Sequence, residues 1–126
     1  MTGSGMNLTE IAQTWLDDDP DPRTRAELAP LLGRDDPAAL ADLADRFDGM
    51  LQFGTAGLRG AMGAGSNRMN RAVVIRAAAG LTSYLLERHL APRVVIGYDA
   101  RHRSADFARD TAAVVTAAGG EALLFA

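Results

Sequence analysis

Gln52-Phe53-Gly54-Thr55-Ala56-Gly57-Leu58-Arg59-Gly60-Ala61-Met62-Gly63 is the stretch on which the reading of this chain turns. Its four glycines, Gly54, Gly57, Gly60 and Gly63, recur at three-residue intervals around one threonine and one arginine. Glycine at this density marks backbone that adopts positive φ or comes very close to another group. Glycine-rich loops also turn peptide N–H groups towards an anion. Arg59 adds a planar, permanently charged fork suited to phosphate or carboxylate. The plainer alternative is a glycine-rich hairpin carrying a surface arginine, because short glycine motifs recur by chance.

Working outward, Leu51–Phe53 and Leu58–Met62 read as short strands joined by the motif, and residues 63–68 as a loop. Asn70 can cap a helix running to about Leu90, with Val74, Ala77, Ala78, Leu81 and Leu85 as its buried stripe. Gly80 lies within that helix, where a close helix–sheet contact accounts for a small residue. Arg93–Tyr98 is the clearest strand: Val94-Val95-Ile96 is apolar and β-branched, as in a parallel strand covered on both faces. Ser104 is a natural N-cap for a helix carrying Phe107, Ala108, Thr111, Val114, Val115 and Ala118, and Ala122–Phe125 begins a further strand. This alternation predicts a three-layer α/β/α domain with a mixed, largely parallel sheet, and the closing strand makes it look incomplete.

Upstream, the pattern is helical. Residues 1–6 read as a disordered leader or tag remnant, 7–50 as a helical N-terminal extension, and 51–126 as the α/β domain. Asn7 with Glu10 approximates a capping box, and Leu8, Ile11, Ala12, Trp15 and Leu16 share one face, with Trp15 as a core anchor. Asp21-Pro22 and Asp36-Pro37 both pair an N-cap aspartate with a first-turn proline. The first helix is expected to be interrupted near Pro30, and the second to end at a Gly49 cap. Asp17, Asp18, Asp19 and Asp21 lack a metal-ligand pattern and read as solvated, helix-capping residues.

Phe53–Gly60 resembles the N-terminal signature of the α-D-phosphohexomutases, the phosphoglucomutases and phosphomannomutases. Met62–Asn70 is similar to the phosphoglucomutase-2-like branch. Val95–Arg101 and Ser104–Ala108 resemble the next block of the same domain. Together the blocks span about Leu51 to Ala126, in the family's order. The resemblance implies a phosphosugar mutase that interconverts hexose 1- and 6-phosphates through a phosphoserine and a hexose 1,6-bisphosphate, which also serves as activator, with Mg²⁺ as cofactor. It also implies what to look for and not find: no Ser-His-Asn-Pro-type motif and no Asp-x-Asp-x-Asp loop occur in the 126 residues. The chain therefore reads as the N-terminal part of such an enzyme, its first domain incomplete, inactive alone and partnered by the parent's remaining domains and by sugar phosphates.

Composition narrows the alternatives. At 126 residues the chain can bury one core, and 48% hydrophobic with 23% charged residues is a globular composition. There is no cysteine, so neither disulfides nor thiolate metal sites arise. A net charge of −3 argues against a nucleic-acid partner. No run is long and apolar enough for a membrane span, and no secretory signal is evident, which gives a cytoplasmic expectation. All 13 basic residues are arginine.

The candidate phosphate-binding residues are Arg59, Thr55, Gly57 and Arg101; no residue of the chain is assigned a catalytic or metal-ligating role. By the resemblance, Arg59 contacts a phosphate of the sugar or of the phosphoenzyme. Thr55 either helps to hold that phosphate or stabilises a turn. Arg101 lies in the Asp99–Arg103 loop, beyond a strand's carboxyl end and before a helix N-terminus, where anions collect. It either meets a ligand there or pairs with Asp99. His102 and Arg103 can be solvent-exposed, and His89 sits near a helix end. A non-catalytic sugar-phosphate-binding or regulatory module is the rival reading. A nucleotide-binding domain is disfavoured, since the chain has neither a strand-to-helix Gly-x-Gly-x-x-Gly nor a Gly-Lys-Ser/Thr.

Overall fold

A computed structural model of the chain describes residues 7–54, 57–88, 91–98, 101 and 103–125. The chain divides into two compact units, Met1–Asn70 and Arg71–Ala126, so the glycine-rich segment packs with the helices that precede it.

The first unit begins with three helices, α1 (Leu8–Asp18), α2 (Pro22–Leu32) and α3 (Pro37–Arg46). Each starts at a side-chain cap legible in the sequence. The Asn7 carboxamide oxygen accepts from Glu10 N (2.9 Å), and its Nδ2 donates to the Glu10 carboxylate (2.8 Å). Asp21 accepts from Arg23 N (3.0 Å) and Asp36 from Ala39 N (3.3 Å). The helix α2 runs on through Pro30 to Leu32 instead of breaking there. Pro30 falls in the last turn, where its missing N–H forfeits a single intrahelical bond. Asp19 and Asp21 cap and are buried, not solvated. Asp19 Oδ1 accepts from Asp21 N (3.0 Å) and its Oδ2 from the Thr24 hydroxyl, so each buried oxygen is satisfied.

Ala12, Leu16, Leu28, Leu43 and Ala64 form the core of this unit, with Leu8, Trp15, Leu31, Leu32 and Phe47 packed around them. Trp15 meets Phe47 edge-on at 6.0 Å, the anchoring role expected of it. The helix α3 ends at Arg46 with Phe47 as its C-cap, not Gly49 as the sequence suggested; Gly49, at φ 73°, turns the chain two residues beyond the cap. The strands β1 (Phe53–Gly54) and β2 (Gly57–Leu58) then pair antiparallel, with Phe53 opposite Leu58 and Gly54 opposite Gly57. They are shorter than the sequence suggests. Leu58–Met62 does not continue as a strand, and Met62 makes only an isolated bridge to Met69.

The second unit holds α4 (Arg71–Leu86), β3 (Arg93–Gly97), α5 (Ser104–Ala117) and β4 (Glu121–Phe125). The strands β3 and β4 are parallel, in the register Arg93–Glu121 to Gly97–Phe125, with α5 as the crossover. The expected α/β class holds. Two details differ. Among the described residues only one face of β3 is covered: Ile96 is buried against α5, whereas Val95 on the opposite face is 65% exposed. The helix α4 packs on α5 and not on the sheet. Its buried ridge accordingly runs Val74, Ala78, Thr82, leaving Leu81 exposed. The Thr82 hydroxyl is satisfied by donating to the Ala78 carbonyl (2.7 Å). Gly80 is exposed with open space where a Cβ would sit, so no close helix–sheet contact explains it. No helix among the described residues is long and apolar enough to cross a membrane.

Candidate functional site

The glycine motif is held from below by the segment 61–70. Met69 N donates to the Ala61 carbonyl (2.8 Å) and Gly63 N to the Met69 carbonyl (3.1 Å), which closes the segment on itself. The Asn70 side-chain amide donates to the carbonyls of Gly63 and Gly65, both at 2.8 Å. Leu51 N donates to the Ser66 carbonyl (2.8 Å), so the chain entering the hairpin is tied to the same segment as the chain leaving it. The Leu51 side chain lies over Gly60: a Cβ there would meet Leu51 Cδ1 at 2.6 Å. This is the close approach that a glycine permits.

The segment in turn is bolted to the helices. Ala64 buries its methyl in the helical core, and its two backbone polar groups go to one charged pair. Ala64 N donates to Glu27 Oε2 (2.7 Å), and Arg46 Nη1 donates to the Ala64 carbonyl (3.1 Å) and to the same Glu27 oxygen. Arg46 Nε donates to Asp42 (2.9 Å). Burial pulls the Arg46 pKa down, but its hydrogen bonds to Glu27 and Asp42 outweigh this and hold it above the usual arginine value. Asn67 N donates to the Arg46 carbonyl (2.9 Å), and Arg68 pairs with Asp45. The backbone contact is tight: a Cβ on Gly65, at φ 125°, would lie 2.5 Å from the Arg46 carbonyl oxygen.

On this base stands Arg59, just beyond β2 and exposed. None of the ion pairs among the described residues involves it. Gly57 lies in β2 opposite Gly54, two positions from Arg59. Thr55 lies outside the described residues. In the second unit, Arg101 is exposed ahead of α5. The Asp99 that was a possible partner for it, and His89 and His102, lie outside the described residues. Ser104 is the first residue of α5 and not its cap. The cap position belongs to Arg103, which sits in the left-handed region at φ 70° and makes no side-chain cap hydrogen bond. Arg103 is not solvent-exposed either: its side chain is 9% accessible and its Nε donates to Asp106 (3.0 Å).

The chemistry available to the first unit is anion contact: an exposed arginine fork, in no ion pair among the described residues, beside glycine backbone. The Mg²⁺ implied by the resemblance finds no fit here. Among the described residues no group of three or more His, Cys, Asp or Glu side chains could hold a metal ion. What the sequence reading missed is the Glu27–Arg46 pair. Its local trace is Gly63, where a Cβ would lie 2.9 Å from Glu27 Oε2 and 3.2 Å from Arg46 Nη1.

A model of the phosphoglucomutase/phosphomannomutase alpha/beta/alpha domain I matches residues 50–126. The chain belongs to the phosphoglucomutase/phosphomannomutase family. Within that family it is 42% identical over 108 residues to a phosphoribomutase of Saccharomyces cerevisiae, a match covering 85% of this chain and 17% of the relative. It is 40% identical over 121 residues to a probable phosphoribomutase of Schizosaccharomyces pombe, covering 94% and 20%. A phosphoglucomutase of Staphylococcus haemolyticus matches at 42% over 73 residues, covering 58% and 13%. The chain thus spans about a fifth or less of the length of these relatives. The fungal matches reach upstream of residue 50, since 94% of the chain exceeds what 50–126 contains. No solved structure gave a significant match.

Proposed function

We propose that this chain is the N-terminal part of a cytoplasmic phosphosugar mutase, a helical extension (7–50) followed by part of domain I (51–126), and that Arg59 is one of its contacts to substrate phosphate. The observation that carries this reading is the coincidence of the family match over 50–126 with an exposed arginine unpaired among the described residues, standing on a pinned glycine hairpin. Gly57 and Thr55 would line the same phosphate, and Arg101, in the second unit, is proposed separately as a phosphate-binding residue. The reaction would move a phosphoryl group between two positions of one sugar. A guanidinium stabilises the charge on a phosphate that must be held while the rest of the molecule reacts. The residues of this chain supply positioning and charge. The nucleophile and any metal ligands belong to other parts of the parent, so the 126-residue chain alone is expected to have no turnover.

The test is the parent protein in a coupled assay converting glucose 1-phosphate to glucose 6-phosphate. Arg59→Ala is expected to lower kcat/KM by about 10²-fold or more, as for loss of a charge-stabilising donor. A parent protein that isomerises no glucose, mannose or ribose phosphate would overturn the reading. One observation favours a pentose phosphate as the alternative substrate: the relatives whose matches include the helical region bear the phosphoribomutase name, while the phosphoglucomutase match covers only 58% of the chain. Ribose 1-phosphate offered to the same protein, with ribose 5-phosphate measured as the product, separates the two.

A further inference from the structure

We propose that Glu27 and Arg46 are positioning residues for Arg59: a charged pair in the helical extension holds the glycine hairpin in register. The case rests on geometry within the first unit. Every hydrogen bond named above between the hairpin's flanks and the rest of the unit runs into the segment 61–70. Leu51, two residues before β1, hangs from the Ser66 carbonyl, and Ala61, two residues after Arg59, receives Met69 N. That segment is seated on the helices at Ala64, where a single carboxylate oxygen and a single guanidinium nitrogen take both backbone groups. A displacement of Ala64 therefore shifts both ends of the hairpin together. Flanking contacts close the same joint: Ser66 Oγ donates to the Gly49 carbonyl (2.7 Å) and Asn67 Nδ2 to the Asp45 carbonyl (3.2 Å).

Both positioning residues lie outside the segment 50–126 that defines the family domain. The helical extension is then part of the site's machinery and not an appendage to it. The Ala64 N–H needs an acceptor at residue 27. Glutamine still provides one and leucine does not, whereas both fill a similar volume.

The experiment is amide hydrogen exchange on the 126-residue chain with Glu27→Leu and Glu27→Gln, followed by titration of each with inorganic phosphate. The titration arm, unlike the exchange arm, rests on the reading of Arg59 as a phosphate contact. Glu27→Leu is expected to speed exchange at least about tenfold at Leu51, Gly63 and Met69 while leaving α1 and β3 at wild-type rates. Glu27→Gln is expected to stay within about threefold of wild type at those amides, because it preserves the acceptor. In the titration Glu27→Leu weakens the Arg59-dependent affinity about tenfold, and Glu27→Gln restores most of it. Faster exchange at Ala64 alone, with Leu51 and Met69 unchanged, would overturn the proposal. If Glu27→Leu unfolds the helices, Arg46→Lys takes its place; it keeps the charge but loses the fork, and the same amides must respond. A wild-type chain whose phosphate affinity is indifferent to Arg59→Ala sinks the functional reading instead, and the exchange pattern then decides the positioning role by itself.

Discussion

Two glycines show how differently one residue type is used. Gly65 combines φ 125° with the Arg46 carbonyl oxygen 2.5 Å from where a Cβ would stand. Gly65→Ala is expected to destabilise the first unit by about 2–4 kcal/mol, from backbone strain and overpacking together. Gly80 sits in mid-helix with nothing near it, and Gly80→Ala is expected to stabilise by about 0.5–1 kcal/mol through helix propensity. Urea midpoints of the two variants should move in opposite directions. Asp36 offers a test in pH. Its hydrogen bonds with the Arg34 guanidinium hold the carboxyl below the usual aspartate range, with desolvation opposing them and the Ala39 N–H adding to the effect. A lowered folded pKa contributes stability that is present above the ordinary aspartate range and lost as pH falls through the lowered value. Asparagine caps equally well, so Asp36→Asn isolates the charge. Its Tm deficit should be full at neutral pH, shrink with salt, and vanish in strong acid.

Between elements, α4 and α5 are joined by the bidentate Arg71–Asp110 pair, Nε at 2.8 Å and Nη2 at 3.1 Å, with both side chains shielded from solvent in part. A double-mutant cycle with Arg71→Met and Asp110→Asn is expected to give a coupling of about 1 kcal/mol. An additive result would mean that the helices meet through their apolar ridge alone. How much of this was legible in the sequence follows from range. The caps at Asn7, Asp21 and Asp36 involve neighbours two or three residues away, so they could be read directly. The ridge of α4 could not: whether Leu81 or Thr82 turns inward depends on which element α4 packs against, and helical spacing allows either. Val95 followed the same logic, since β-branched runs suit a strand whether one face or both are covered. The exposed arginine of the candidate site was visible as a motif. The pair beneath it, with residue 27 meeting residue 64, left no pattern in sequence spacing.

For the whole molecule, the absence of lysine makes arginine chemistry a clean probe. Arg46, Arg68 and Arg103 are shielded in ion pairs, whereas Arg59 is exposed. Phenylglyoxal, which condenses with guanidinium groups, should therefore modify Arg59 ahead of those three, and glucose 1-phosphate should slow that modification if the proposed phosphate contact is correct. Peptide mass spectrometry after a short exposure reads both effects. The seating of Ala64 on Glu27 and Arg46 also has a consequence in time. A ribosome releases the chain from its amino end, so residues 27 and 46 leave the exit tunnel before residue 64 does. The socket is thus made before the part it receives, and the segment 61–70, the last piece of the first unit to emerge, can settle at once onto helices already waiting for it and hold the hairpin made just before it.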